Sequence, residues 1–329
     1  MALVVMIVVC ALAFDFINGF HDTANAIATV VSTRVLAPRT AIVMSAALNF
    51  AGALVFTGVA ETIAKGLVTG ATQTVVLAAI LGAIAWNLIT WYFGIPSSSS
   101  HALVGGLIGA AMAHSGSHSV LWEGVRSKVV VPLVGSPLAG LVIGFVIMAA
   151  VTVVFRNRPA GSTGKLFRTM QVFSSAFMSF MHGSNDAQKS MGIITLALAT
   201  FGGHSVLTAK IPVWVKIACA LAMAAGTSVG GWRIIRTMGH RIIRLEPVHG
   251  FAAEVTASVV ILYATLTKMA VSTTHVISGS IFGVGIAKRP SAVRWQVAIN
   301  MVVAWILTMP AAGAVAAACY HGLNLLGLR

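Results

Sequence analysis

Apolar runs long enough to cross roughly 30 Å of hydrocarbon, about 20 residues each, recur along almost the whole chain and restrict it to a bundle of membrane-crossing helices. They cover 1–13, 41–60, 74–93, 129–155, 166–181, 211–230, 248–266 and 297–318. Of the 329 residues 58% are hydrophobic and 9% charged, where a soluble domain carries about a quarter charged residues. Strict two-residue alternation is missing, which excludes an outer-membrane barrel. The first run lacks a positive leading segment and passes directly into polar residues, so it is expected to stay as a span and not to be cleaved. Cys10, Cys219 and Cys319 stand singly in apolar surroundings and read as packing residues, not as metal ligands or disulfide partners.

A net charge of +14 would suggest nucleic acid in a soluble chain. Here the basic residues gather in short loops between spans, where they report topology, and the expected surroundings are membrane lipid. The clusters are Arg34 and Arg39; Arg156, Arg158, Lys165 and Arg168; Arg233, Arg236, Arg241 and Arg244; and Lys288, Arg289 and Arg294. Placing all four in the cytoplasm leaves Glu61–Gly70, His114–Glu123 and Gly202–Ala209 outside, with both termini; Arg126 and Lys128 fit this placement least well. His114, His118 and His204 are then solvated loop residues. The stretch 156–165, the only one combining charge, Pro, Gly and Ser, separates a first half, 1–155, from a second, 166–329. The halves acquire opposite orientations, the inverted-repeat plan of many secondary transporters. The expected fold is therefore an all-α polytopic membrane protein of two inverted repeats, each with a re-entrant or broken helical hairpin. Residues 74–113 read equally as two crossings or as one hairpin with its tip near Ser98.

Four polar islands interrupt the apolar runs, and they come in two related pairs. In one pair a hydroxyl run precedes histidine and spaced glycines: Ser98, Ser99, Ser100, His101, Gly105 and Gly109, then Ser272, Thr273, Thr274, His275, Gly279 and Gly283. Hydroxyls before an apolar helical run suit a helix N-cap, whose free N–H groups and positive dipole end favour an anion. Glycine at every fourth position gives a smooth face for close packing on a neighbour. His101 and His275 would orient these starts or meet the anion. The other pair, Asn18–Ala26 and His182–Ser190, holds Asp22 with Asn25, and Asp186 with Asn185, Gln188 and Lys189. A carboxylate inside a membrane must be paired, hydrated, protonated or bound to a cation. Hard oxygen ligands of this kind suit Na+, a divalent ion such as Mg2+, or a transferable proton. Asp15 and Glu254 are secondary candidates of the same kind, and no two histidines stand at a helical ligand spacing with a third partner.

At these residues the chain resembles the PiT family of inorganic phosphate transporters. INGFHDTANAIATV is similar to that family's first signature, HGSNDAQKSMG to its second-half copy, and IPSSSSHALVGGLIG with VSTTHVISGS to its paired tips; the likeness covers nearly the whole chain. It lacks the long hydrophilic insertion of larger members, with only about ten residues, Thr200–Lys210, standing there. At the second tip Ala270 stands where the family has proline, so the bend there lacks the constraint that Pro96 gives the first. The resemblance implies a bacterial inner-membrane symporter that imports inorganic phosphate by alternating access. Ser98, Ser99, Ser100, Ser272, Thr273 and Thr274 would donate to phosphate, and Asp22, Asn25, Asp186, Gln188 and Asn185 would hold the coupling cation, with Asp22 and Asp186 as the metal-binding pair. That cation is H+ travelling with a metal phosphate, or Na+; no other cofactor is implied, and a homodimer rests on family likeness alone. Another tetrahedral oxyanion such as sulfate remains an alternative substrate. A passive anion channel would want a polar pore lining that these spans lack, and an enzyme reading of Ser100–His101 lacks a third orienting group.

Overall fold

A computed structural model describes residues 1–65, 67–202 and 211–327, so most of the expected outer loop 202–209, with His204, lies outside the described residues. The helices of the first half are α1 (Ala2–Ser32), α2 (Pro38–Val55), α3 (Gly58–Lys65), α4 (Gln73–Phe93), α5 (Ser99–Ser115), α6 (Trp122–Val125) and α7 (Val131–Phe155). The second half contributes α8 (Ala160–Phe201), α9 (Val213–Val229), α10 (Trp232–Arg236), α11 (Pro247–Leu266), α12 (Thr273–Lys288) and α13 (Trp295–Leu325). Among the described residues the one extended pairing is an isolated bridge from Val68 to Val120.

Six stretches are long and apolar enough to span a membrane: α1, α2, α4, the run Trp122–Phe155, α11 and α13. A seventh is α9 with Trp232–Arg241, bent by 60° between its two parts. The chain is thus a multi-pass helical membrane protein. Lipid-facing surface is plain on α7, where Val134, Leu138, Val142, Val146 and Val153 are exposed apolar side chains that water would not tolerate as one stripe. Arg126 and Lys128 occupy a π-helical turn leading into α7.

The polar islands of the signature pair do not break their helices. Asn18–Ala26 lies inside the 31-residue α1, and His182–Ser190 inside the 42-residue α8, so the expected separate span 166–181 is continuous with the island after it. The linker 156–165 is correspondingly short: a turn, then the opening of α8. The hydroxyl islands do begin helices. α5 and α12 are 17 and 16 residues long, about 24–26 Å at 1.5 Å per residue and short of a full crossing.

Both halves run in the same order: long signature helix, second helix, short helix, fourth helix, short tip helix, closing helix. The halves are also interlocked. α1 packs on α9 and α8 on α2, through Gly19 against Met223 and Gly226, and Gly183 against Asn49, where a side chain would strike backbone. The glycine faces of the tip helices are used the same way, across the halves. Gly105 and Gly109 of α5 meet Met309 and Gly313 of α13, while Gly279 and Gly283 of α12 meet Pro137 and Leu141 of α7. The expected smooth faces therefore pack each tip on the closing helix of the opposite half. His114, read as a solvated loop residue, bonds through Nδ1 to the Tyr320 hydroxyl at 2.6 Å, tying the end of α5 to α13.

Candidate functional site

The two tips have the same local chemistry. Ser98 has extended backbone (φ −105°, ψ 111°) and its hydroxyl accepts the His101 N–H at 3.2 Å. Ser272 (φ −89°, ψ 111°) accepts the His275 N–H at 3.2 Å. Each cap satisfies one of the first-turn donors and leaves the others, with the positive dipole end, facing the molecule's centre. The second tip adopts this geometry without a proline. Carbonyls preceding the caps are held instead by neighbours: Pro96 O accepts from Trp305 Nε1 at 3.0 Å and Val271 O from the Ser100 hydroxyl at 3.1 Å. The tips thus abut, with the His101 and His275 rings 4.9 Å apart and His275 stacked on Trp305 at 4.0 Å. The histidines sit behind the hydroxyls and buttress the tips.

Facing the tips are α1 and α8. Ser99 donates to Asp22 at 3.2 Å, Thr273 to Asp186 at 3.2 Å, and Asn25 Nδ2 to the hydroxyls of Thr274 and Thr273 at 2.9 and 3.2 Å. These bonds join the signature helices to the tip helices across both halves. Asp22 and Asp186 converge with His182, their ligand atoms all within 4.8 Å of one another. The carbonyl oxygens of Asn25 and Asn185 are buried without a hydrogen-bond partner, which leaves two hard acceptors unpaired. Such a set fits a cation. Asp22, Asp186 and all six tip hydroxyl residues are 3% exposed or less, so the site is occluded from both faces.

Not every expected residue joins it. Gln188 Oε1 accepts the backbone N–H groups of Val59 and Ala60 at 2.7 and 3.3 Å, capping α3, whereas Asn185 turns only its Nδ2 away, to Thr265 at 3.1 Å. Lys189 does belong, its ammonium 2.8 Å from Asp186 Oδ1. Asp15 lies two turns along α1 from Asp22, buried against Ser190 and Cys219. Glu254 sits on the opposite side of the site, bonded to Thr29, Ser174 and Gln171, and Gln171 accepts in turn from Thr33 at 2.8 Å. Asn25, Thr29 and Thr33 follow one another at turn spacing, so this polar seam leads from the centre toward the end of α1.

Two histidines outside the candidate site residues also take part. His182 stands four residues before Asp186, a helical spacing that faces both toward Asp22; the i,i+4 His–Asp pattern on one helix was the available signal. His21 bonds to Asp22 at 2.6 Å through Nδ1 and to Thr90 at 3.1 Å through Nε2, and Ser97 donates to Thr90 at 2.8 Å. That chain ties the first carboxylate to the foot of its own tip.

The model of a family described as the phosphate transporter family matches residues 18–316. A probable low-affinity inorganic phosphate transporter of Bacillus subtilis (strain 168) is 49% identical over 328 residues, covering 98% of both chains. A probable low-affinity inorganic phosphate transporter of Rhizobium meliloti (strain 1021) is 46% identical, covering 98% of this chain and 97% of the other. Among solved structures, one titled the sodium-dependent phosphate transporter has the same fold, with a TM-score of 0.89 at 24% identity, covering 99% of this chain and 100% of that one.

Proposed function

From the premise that the chain belongs to the phosphate transporter family, a family of membrane transport proteins and not of enzymes, we propose that it imports inorganic phosphate across a bacterial plasma membrane by cation-coupled symport. The observation that carries this reading is the meeting of two capped helix starts with two carboxylates in one buried site. Ser98, Ser99, Ser100, Ser272, Thr273 and Thr274, with the free first-turn amides, donate to phosphate oxygens. Asp22, Asn25 and Asp186, supported by Asn185 and His182, hold the accompanying cation.

Electrostatics makes that cation necessary. Phosphate entering against an inside-negative potential is opposed by about 2.3 kcal/mol per charge per 100 mV, and two carboxylates at the same place would repel it further. Co-bound positive charge offsets both. A phosphate that keeps a proton donates to a carboxylate acceptor, whereas fully ionised sulfate leaves that acceptor unpaired in a dry site.

The interlocked packing supports alternating access. The signature helices α1 and α8, clamped with α2 and α9, form one body; the tip hairpins with α7 and α13 form the other. The inverted halves rock these bodies against each other about the site, breaking and remaking the Ser99–Asp22, Thr273–Asp186 and Asn25–Thr274 bonds. Glu254, alone on the polar seam, is a further station for the cation.

Uptake of radiolabelled phosphate by proteoliposomes tests this reading. It is expected to follow an imposed proton or sodium gradient, to exceed sulfate uptake, and to collapse in Asp22→Asn. Ser98→Ala and Thr273→Ala are expected to weaken apparent phosphate affinity; unchanged affinity in both would remove the tips from the anion site.

A further inference from the structure

Where the polar seam ends, beyond Thr33, the protein holds a basic concavity of about 1010 Å³. Three separate segments wall it: the end of α1, the connection from α10 to α11, and the connection from α12 to α13. They are fixed to one another, since the Ser32 hydroxyl bonds to the Gly239 carbonyl and the Arg294 N–H donates to Ile242 O at 3.0 Å. Into this cavity project Arg34, Arg244, Lys288, Arg289 and Arg294, against a single carboxylate, Glu246.

That carboxylate is already engaged, with Lys288 Nζ 2.9 Å from its Oε1, and the hydrogen bond from Lys288 holds Glu246 below the ordinary carboxylate range. Among the described residues the four guanidinium groups form no ion pair with any of the chain's seven acidic residues. Arginine in this state is a bidentate donor for phosphate oxygens. The volume is at the upper end of small-molecule sites, far beyond one tetrahedral ion. The cavity also lies over the end of α1, whose central residues are buried in the bundle, and not along the lipid-facing stripe of α7. Its floor stands eight residues from Asn25, about 12 Å along the helix.

We propose that this cavity is a cytoplasmic binding site for a soluble oligophosphate anion, and that its occupancy blocks the exit from the central site. The proposal rests on reading the chain as a phosphate importer whose basic loops face the cytoplasm. An anion spanning several of the arginines binds as a multivalent ligand, while single phosphates pass. The importer is thereby slowed when the compartment it fills is already rich in phosphate compounds.

The test uses the full chain in phosphatidylcholine nanodiscs, titrated with tripolyphosphate by calorimetry. Saturable one-to-one binding is expected, weakened at least tenfold in the double variant Arg244→Gln/Arg294→Gln and partly recovered in Arg244→Lys/Arg294→Lys, which restores the charge without the bidentate fork. Ser98→Ala/Thr273→Ala is expected to leave this binding unchanged, which separates the cavity from the transport site. In proteoliposomes, tripolyphosphate on the face carrying the basic loops should slow phosphate uptake by the wild type and not by Arg244→Gln/Arg294→Gln. Absence of saturable binding, or equal binding by the glutamine variant, overturns the proposal. Loss of binding in nanodiscs doped with cardiolipin also overturns it, by assigning the cavity to a lipid headgroup. Retained tripolyphosphate binding with no phosphate uptake would instead count against the transport reading alone.

Discussion

Asp22 and Asp186 occupy corresponding places in the two signature helices, yet their surroundings differ in charge. Asp186 faces an ammonium: Lys189 lies 2.8 Å away in a fully buried setting, with His182 at 3.4 Å on the other oxygen. Asp22 has His21 at 2.6 Å and the Ser99 hydroxyl, and where α8 carries Lys189, α1 carries neutral Asn25. The same position in the two signature helices therefore carries a different charge balance: Lys189 meets the carboxylate in the second half, while a histidine and a hydroxyl meet it in the first. On the proposed symport, the Asp22 side depends more on a mobile cation. Coupling is thus expected to run through Asp22 more than through Asp186.

The largest expected effect separates the two carboxylates by stability. Asp186→Asn strands a buried ammonium and should cost about 3–5 kcal/mol, seen as a lowered melting temperature in detergent, with most of the loss recovered in Asp186→Asn/Lys189→Met. Asp22→Asn should melt close to the wild type while abolishing gradient-driven uptake. Equal destabilisation by the two single variants would break the asymmetry. The helix clamps come next, and there the halves should agree. Gly19→Ala and Gly183→Ala each press a methyl onto a neighbour's backbone and should each cost about 1–3 kcal/mol; a clear inequality would mean the clamps are not equivalent. Smaller again are the caps: Ser98→Ala and Ser272→Ala should each lose about 1 kcal/mol, measured by the same melts.

The smallest effect supplies an exposed control for the buried Asp186–Lys189 pair. Glu246 and Lys288 have side chains 58% and 33% exposed, and screening limits such a pair to a few tenths of a kcal/mol. Because the hydrogen bond from Lys288 lowers the pKa of Glu246 in the folded protein and so favours its charged form, the pair contributes fully at neutral pH. Its contribution fades as pH falls through that lowered value. Lys288→Ala should therefore shift the melting temperature slightly at pH 7 and not at strongly acid pH, by calorimetric scans across that range.

Local chemistry in the sequence predicted the tips well. Hydroxyls before an apolar helical run define a cap, and the second tip shows that this suffices without proline. Glycines four apart predicted close packing, but not on which partner, since an exchange of closing helices between halves leaves no local trace. The membrane class followed from apolar run length alone. The continuity of α8 did not, because a polar island looks like an interruption when its partners on α2, α11 and α12 are far away in sequence. For the same reason Gln188 read as a ligand: its oxygen is spent on the start of α3, 129 residues earlier, a contact that no spacing rule contains. Lys189 could be read only as buried and basic until its distance to Asp186 assigned it a side.

The exchange of closing helices has a consequence for synthesis. The glycine face of α5 is covered by α13, which is synthesised long after α5, so the first tip stays without this neighbour until the second half has been made. Contacts so distant in sequence form late and slowly. A first half released alone would expose that face to lipid or to quality-control proteases, while two halves expressed as separate chains could still complete each other.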